Sequence, residues 1–118
     1  MKGKQTFPKR ERILRPGEFR EVYREGARYS VREFLLFVKS GYEGPARLGL
    51  SVSKRIGTAT TRNRIKRYVR ETFRTHKGKL KGGTKVIVVA RPGSEQLDFA
   101  QCREKVVKLF QEGNLIHG

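Results

Sequence analysis

The run "TKVIVVA", residues 84–90, restricts the fold more than any other stretch. Val86, Ile87, Val88 and Val89 follow one another with neither helical spacing nor alternation. An unalternating β-branched run of this kind belongs to a strand buried on both faces. "RPGS" at 91–94 ends it. Two other segments alternate instead. "REFLLFVKS" (32–40) puts Phe34, Leu36 and Val38 on one face and Leu35 and Phe37 on the other. "ARLGLSVSK" (46–54) sets Leu48, Leu50 and Val52 against Gly49, Ser51 and Ser53, small residues that leave a shallow second face. "GYEGP" (41–45) between them reads as a turn.

Helical spacing appears three times. "PGEFREVYREG" (16–26) has Pro16 in its first turn, Gly26 at its end, and Phe19, Val22 and Tyr23 along one face. A second amphipathic helix is expected from about Asp98 to Glu112, with Phe99, Cys102, Val106, Leu109 and Phe110 inward. The third lies between them, after Gly57, where Thr58, Thr60 or Thr61 can cap it. The order is thus helix, two or three strands, helix, strand, helix. This is an α+β chain of about four strands and three helices, α-β-β-β-α-β-α. At 118 residues it is most simply one domain, 1–118, with no internal repeat. Residues 1–15 hold six bases, one acid and one Pro without clear period, and read as a flexible basic arm that orders on contact with a partner.

The middle helix carries the chemistry. At about 100° per residue, Ile65, Tyr68, Val69, Thr72 and Phe73 form a stripe roughly 140° wide that can pack on a sheet. Asn63, Lys66, Arg67, Arg70 and Arg74 fall opposite, with Arg64 and Glu71 between. A solvated basic face is the plain reading, but such faces usually mix signs. Arg62 and Arg64, placed in the first turn, would oppose the helix dipole by roughly 0.3–1 kcal/mol each. Arg also outnumbers Lys between 55 and 74, favouring forked phosphate contacts. With Lys54 and Arg55 just upstream, the helix start reads as an anion site.

The whole chain leans the same way. Twenty-eight Lys and Arg against eleven Asp and Glu give +17, and nucleic acid is the commonest polyanion to offset such repulsion. The excess is uneven: residues 54–81 hold eleven bases and one acid, whereas 91–118 hold four of each. Phe19 and Tyr23, with Phe37 on the less crowded face of its strand, either belong to the core or line a groove where unpaired bases stack. Catalytic groups are scarce. His76, in a loop, and His117 have no metal-ligand spacing with Cys102, and Glu71 is the one acid between Glu43 and Glu95. No catalytic or metal residue is therefore assigned. The lone Cys102, the lack of an apolar run of roughly 20 residues and the lack of a signal-peptide core make a soluble cytoplasmic protein the expectation.

The run "GLSVSKRIGTATTRNRIKRYVRETFR", Gly49 to Arg74, closely resembles the protein subunit of bacterial ribonuclease P. "FPKRERI", "EFREVYREG" and "VIVVARPG" extend the resemblance over nearly the whole chain. It implies an α/β sandwich on a mostly antiparallel sheet, with a left-handed β-α-β crossover through the "RNR" helix. It implies that Lys54, Arg55, Arg62, Asn63, Arg64, Lys66, Arg67, Arg70 and Arg74 face or adjoin the RNA subunit. Phe19, Tyr23 and Phe37 would line a cleft for the 5′ leader of precursor tRNA. The catalytic RNA would make the cut with Mg²⁺ held mainly by RNA and substrate, one protein would serve each RNA, and neither membrane nor DNA would be a partner. A small basic ribosomal protein is the alternative; it explains the charge but not the long match. A DNA-binding module lacks a helix-turn-helix pair, and an autonomous ribonuclease lacks clustered acids.

Overall fold

The structure, a computed structural model, describes residues 9–116. Its elements are α1 (Pro16–Glu25), β1 (Ala27–Ser30), β2 (Phe34–Ser40), β3 (Arg47–Ser51), α2 (Ala59–His76), β4 (Thr84–Ala90) and α3 (Phe99–Glu112), with short 3₁₀ turns between. The four strands form one sheet in the order β1-β2-β4-β3. β4 is interior, antiparallel to β2 and parallel to β3. β1 and β2 are also antiparallel, so the sheet is mostly antiparallel as expected. β3, α2 and β4 make a β-α-β crossover between parallel neighbours.

β4 explains its own sequence. Every residue from Thr84 to Ala90 is buried except half-buried Val89. Val86, Val88 and Ala90 join the large cluster beneath α2 and α3, with Ile65, Phe73, Val106 and Phe110. Ile87 and Val89 face the other way, against Ile13, Val22, Phe19 and Phe37. The larger cluster also takes Phe34, Leu36, Val38, Leu48, Leu50 and Val52, the faces that alternation assigned inward.

The shallow face of β3 turns out differently. Gly49 is covered by the Phe19 ring: a Cβ there would lie 2.9 Å from Cζ of Phe19. Only Gly lets the ring sit on the backbone, so at this position the small residue makes close packing and not an open surface. Ser51, one pleat further, stays half-exposed. The "GYEGP" turn is borne out, with Gly41 and Gly44 both at positive φ. The first group holds three strands, the third being β1, whose four residues are mostly exposed and show no alternation in sequence.

Several boundaries move. α2 is capped by Thr58, whose Oγ1 accepts from the Thr61 N–H at 3.2 Å, so the helix begins at Ala59. Arg62 is its fourth residue and Arg64 its sixth. The dipole penalty, confined to the first turn, therefore falls on neither as strongly as expected. His76 closes α2 instead of lying in a loop, its Nδ1 2.8 Å from the Thr72 carbonyl. Phe99 is half-buried, tilted against Tyr68 at 5.5 Å between centroids, while Cys102, Val106, Leu109 and Phe110 are buried.

Of the expected basic arm at 1–15, residues 9–15 are described, and they pack against the fold. Ile13 is buried and its N–H donates to the Leu48 carbonyl at 2.9 Å, adding a parallel bridge to the outer edge of β3. Glu11, buried, pairs with Lys77 at 3.0 Å. An apolar residue and an ion pair that a charge count cannot see hold this segment. Residues 1–8 and His117 lie outside the described residues.

Candidate nucleic-acid interface

α1 sits on the Ile87 face of the sheet and is clamped there by charge. Lys39, Lys85 and Arg47 are register partners across β2, β4 and β3, a row of three cations on one face. Glu18, Glu21 and Glu25, on one side of α1, answer them. Glu18 meets Arg47 at 2.8 Å and Lys85 at 3.0 Å, and Lys39 lies 3.6 Å from Glu25 and 4.0 Å from Glu21. Burial alone would raise the Glu18 carboxyl, but hydrogen bonds and charge from Arg47 and Lys85 prevail and hold it at about 2. Three of the chain's few acids are thus used inside the fold. Sequence reasoning missed this clamp because its six members come from four elements.

The clamp fixes which residues of α1 look outward. Val22 is fully buried, Phe19 is half-buried over Gly49, and Tyr23 is 37% exposed. Phe19, Tyr23 and Phe37 do meet: Phe19 and Tyr23 are 6.1 Å apart, and Tyr23 stands edge-on to Phe37 at 4.9 Å. Burial raises the Tyr23 phenol, with a hydrogen bond to Ser51 partly offsetting it. Beside the aromatics the sheet face continues uncovered. Leu35, Val89 and Ser51 are register partners in a row, each half-exposed, and Ser30 extends it on β1. The cleft therefore has aromatic and aliphatic floor with hydroxyls at its sides. Leu35 and Val89 were read only as strand residues; their parity with Phe37 was the available signal.

α2 lies on the opposite face of the sheet, with Ile65, Val69, Thr72 and Phe73 buried as its stripe predicts. The polar residues of its outer side are used by the fold to different degrees. Asn63, Arg67 and Arg70 are exposed, and half-buried Lys66 joins Arg70 beside the N-terminal segment and β3. Arg64 leans towards α3, donating from Nη2 to the Glu95 carbonyl at 2.7 Å. Arg74 is ion-paired with Glu71, and its hydrogen bond holds that carboxyl below the usual range. Arg62 donates from Nε to the Gly57 carbonyl at 3.2 Å. Lys54 and Arg55 are exposed on a 3₁₀ turn between β3 and α2. The structure thus keeps the nine residues on one helix and its lead-in, but spends part of Arg62, Arg64 and Arg74 on internal bonds.

Among the described residues no three His, Cys, Asp or Glu side chains are grouped to hold a metal. Burial pushes the Cys102 thiol up to about 12, which keeps it protonated. No helix among the described residues is long and apolar enough to cross a membrane.

Known proteins share both the sequence and this arrangement. The family profile described as Ribonuclease P matches residues 7–113. The Ribonuclease P protein component of Dictyoglomus turgidum is 35% identical over 117 residues, covering 97% of this chain and 98% of its own. The solved RNase P protein of Staphylococcus aureus superposes with a TM-score of 0.85 at 30% identity, over 91% of this chain and 98% of that one. That of Thermotoga maritima gives 0.79 at 31%, over 92% and 99%. These matches decide against the ribosomal alternative. The chain belongs to the ribonuclease P protein family and is the protein subunit of that tRNA-processing endoribonuclease.

Proposed function

We propose that the chain is a single RNA-binding domain that holds two RNAs on opposite faces of one sheet. On the α2 side, Lys54, Arg55, Arg62, Asn63, Lys66, Arg67 and Arg70 meet phosphates of the ribonuclease P RNA, with Arg64 and Arg74 shaping the helix surface beside them. On the α1 side, Phe19, Tyr23 and Phe37 stack unpaired bases of the precursor-tRNA leader. The convergence of those three rings over an uncovered sheet floor is the observation that carries this reading. Aromatic platforms suit single strands because every base has a π-face. Mg²⁺ belongs mainly to the RNA subunit and substrate, one protein serves each RNA, and the assembly works in the cytoplasm.

The test adds the chain to a bacterial ribonuclease P RNA at low Mg²⁺ and compares precursor tRNAs with and without a leader. The protein should tighten binding of the leader-bearing substrate only, and should speed leader removal. Equal effects on both substrates would remove the leader from the cleft. On the other face, Lys66→Ala should weaken RNA-subunit binding and flatten its salt dependence by about one unit of slope, as loss of one phosphate contact predicts. An unchanged slope would place α2 away from the RNA.

A further inference from the structure

Two large hydrophobic side chains are exposed among the described residues: Tyr23 at 37%, in the cleft, and Leu14 at 54%. Leu14 follows Ile13 on the segment bonded to the β3 edge; Ile13 is buried there while Leu14 stays exposed. Ile13 enters the α1-side cluster. Leu14 faces a groove of about 170 Å³ lined also by Ile13, Leu48 and Leu50, under Arg12, Lys66 and Arg70. No carboxylate is among the described residues lining it.

We infer that this groove receives an unpaired nucleotide of the RNA subunit, its base or ribose on Leu14 and Leu50 and its phosphates on Lys66 and Arg70. The inference rests on the reading of α2 as the RNA-facing helix and assigns that surface an apolar subsite. A purely electrostatic surface has no use for an exposed leucine held in place by a buried neighbour. An apolar protein partner would not call for three cations and no acid. A nucleotide supplies both an apolar face and adjacent negative charge. Paired RNA is excluded by shape, because A-form helices offer phosphates and hydroxyls while their base faces stay stacked. The site also lies at the β3 edge, where the two faces of the sheet meet.

The test is a thiol footprint on the full chain. Native Cys102 is 1% exposed with its thiol at about 12, so iodoacetamide reads an introduced thiol alone. In a Leu14→Cys variant, ribonuclease P RNA at tenfold above its Kd should slow alkylation about tenfold by mass action. A Gln111→Cys variant on the exposed side of α3 should keep its rate. Leu14→Ala should weaken RNA affinity roughly fivefold at every salt concentration with the slope unchanged, the signature of a lost apolar contact. If position 14 alkylates equally fast in bound and free protein, the groove is empty and the inference falls while RNA binding stands. If the parent chain binds no ribonuclease P RNA, the reading of α2 falls first and the groove with it.

Discussion

The two faces of the sheet are built by different means. Beneath α2 and α3 the face is sealed: Phe34, Leu36, Ile65, Phe73, Val106 and Phe110 are all 1% exposed or less. Beneath α1 it is half open, with Ile13, Val22 and Ile87 as its buried apolar residues and Phe19, Phe37 and Val89 only partly covered. Two long helices can bury a whole face; one of ten residues cannot. The open face compensates with ion pairs from Glu18, Glu21 and Glu25, which hold α1 in place without covering the floor. Apolar closure stabilises the domain, and charge clamping leaves a surface free to bind.

The strongest way to break that contrast is in the sealed face. Phe73→Ala should cost about 3–5 kcal/mol in urea denaturation, since a fully buried aromatic leaves a cavity. A loss under about 1 kcal/mol would mean that this face is not the stabilising one.

The clamp should show next, and through pH. The Glu18 carboxyl is held at about 2 against an ordinary 4.5. A depressed carboxyl contributes stability that is present above 4.5 and is lost as pH falls through about 2. Glu18→Gln should therefore destabilise by on the order of 2 kcal/mol at pH 7, leaving buried Lys85 without its carboxylate partner. The gap between the two proteins should narrow steadily as pH falls below 4.5. A gap independent of pH would make the clamp a matter of packing.

Smallest in stability is the open floor. Tyr23→Ala should change stability by less than about 1 kcal/mol, because the side chain is an exposed one. It should nevertheless weaken binding of leader-bearing precursor tRNA roughly tenfold, within the 1–3 kcal/mol of one base–aromatic stack. The opposite pattern, a large stability loss with unaltered binding, would make Tyr23 a core residue and close the cleft.

How much of this was legible depended on range. The stripe of α2, the alternation of β2 and the double burial of β4 are local patterns, and each landed where periodicity put it. The start of α3 near Asp98 was legible for the same reason, while the capping box of Asp98 with Gln101 is a finding of the structure. The packing of residues 9–15 was not legible, because a charge count is blind to one apolar residue, Ile13, finding a sheet edge 35 residues away in sequence at Leu48. The open third of the aromatic trio was undecidable locally. Phe19, Val22 and Tyr23 share one helix stripe, yet one is half-buried, one fully buried and one exposed.

By itself the sequence determined the class of the fold, the two faces of α2 and the search for a polyanion, because periodicity and net charge are properties of the chain. Only the tertiary structure decided which cations remain available and which, like Arg64 and Arg74, are partly used within the fold. It decided too that Gly49 is a seat for Phe19 and that Ile13 is buried while its neighbour Leu14 stays exposed. The physical reason is the same in each case. Whether a side chain binds outward or packs inward is set by what the rest of the chain brings against it, and those neighbours come from other elements.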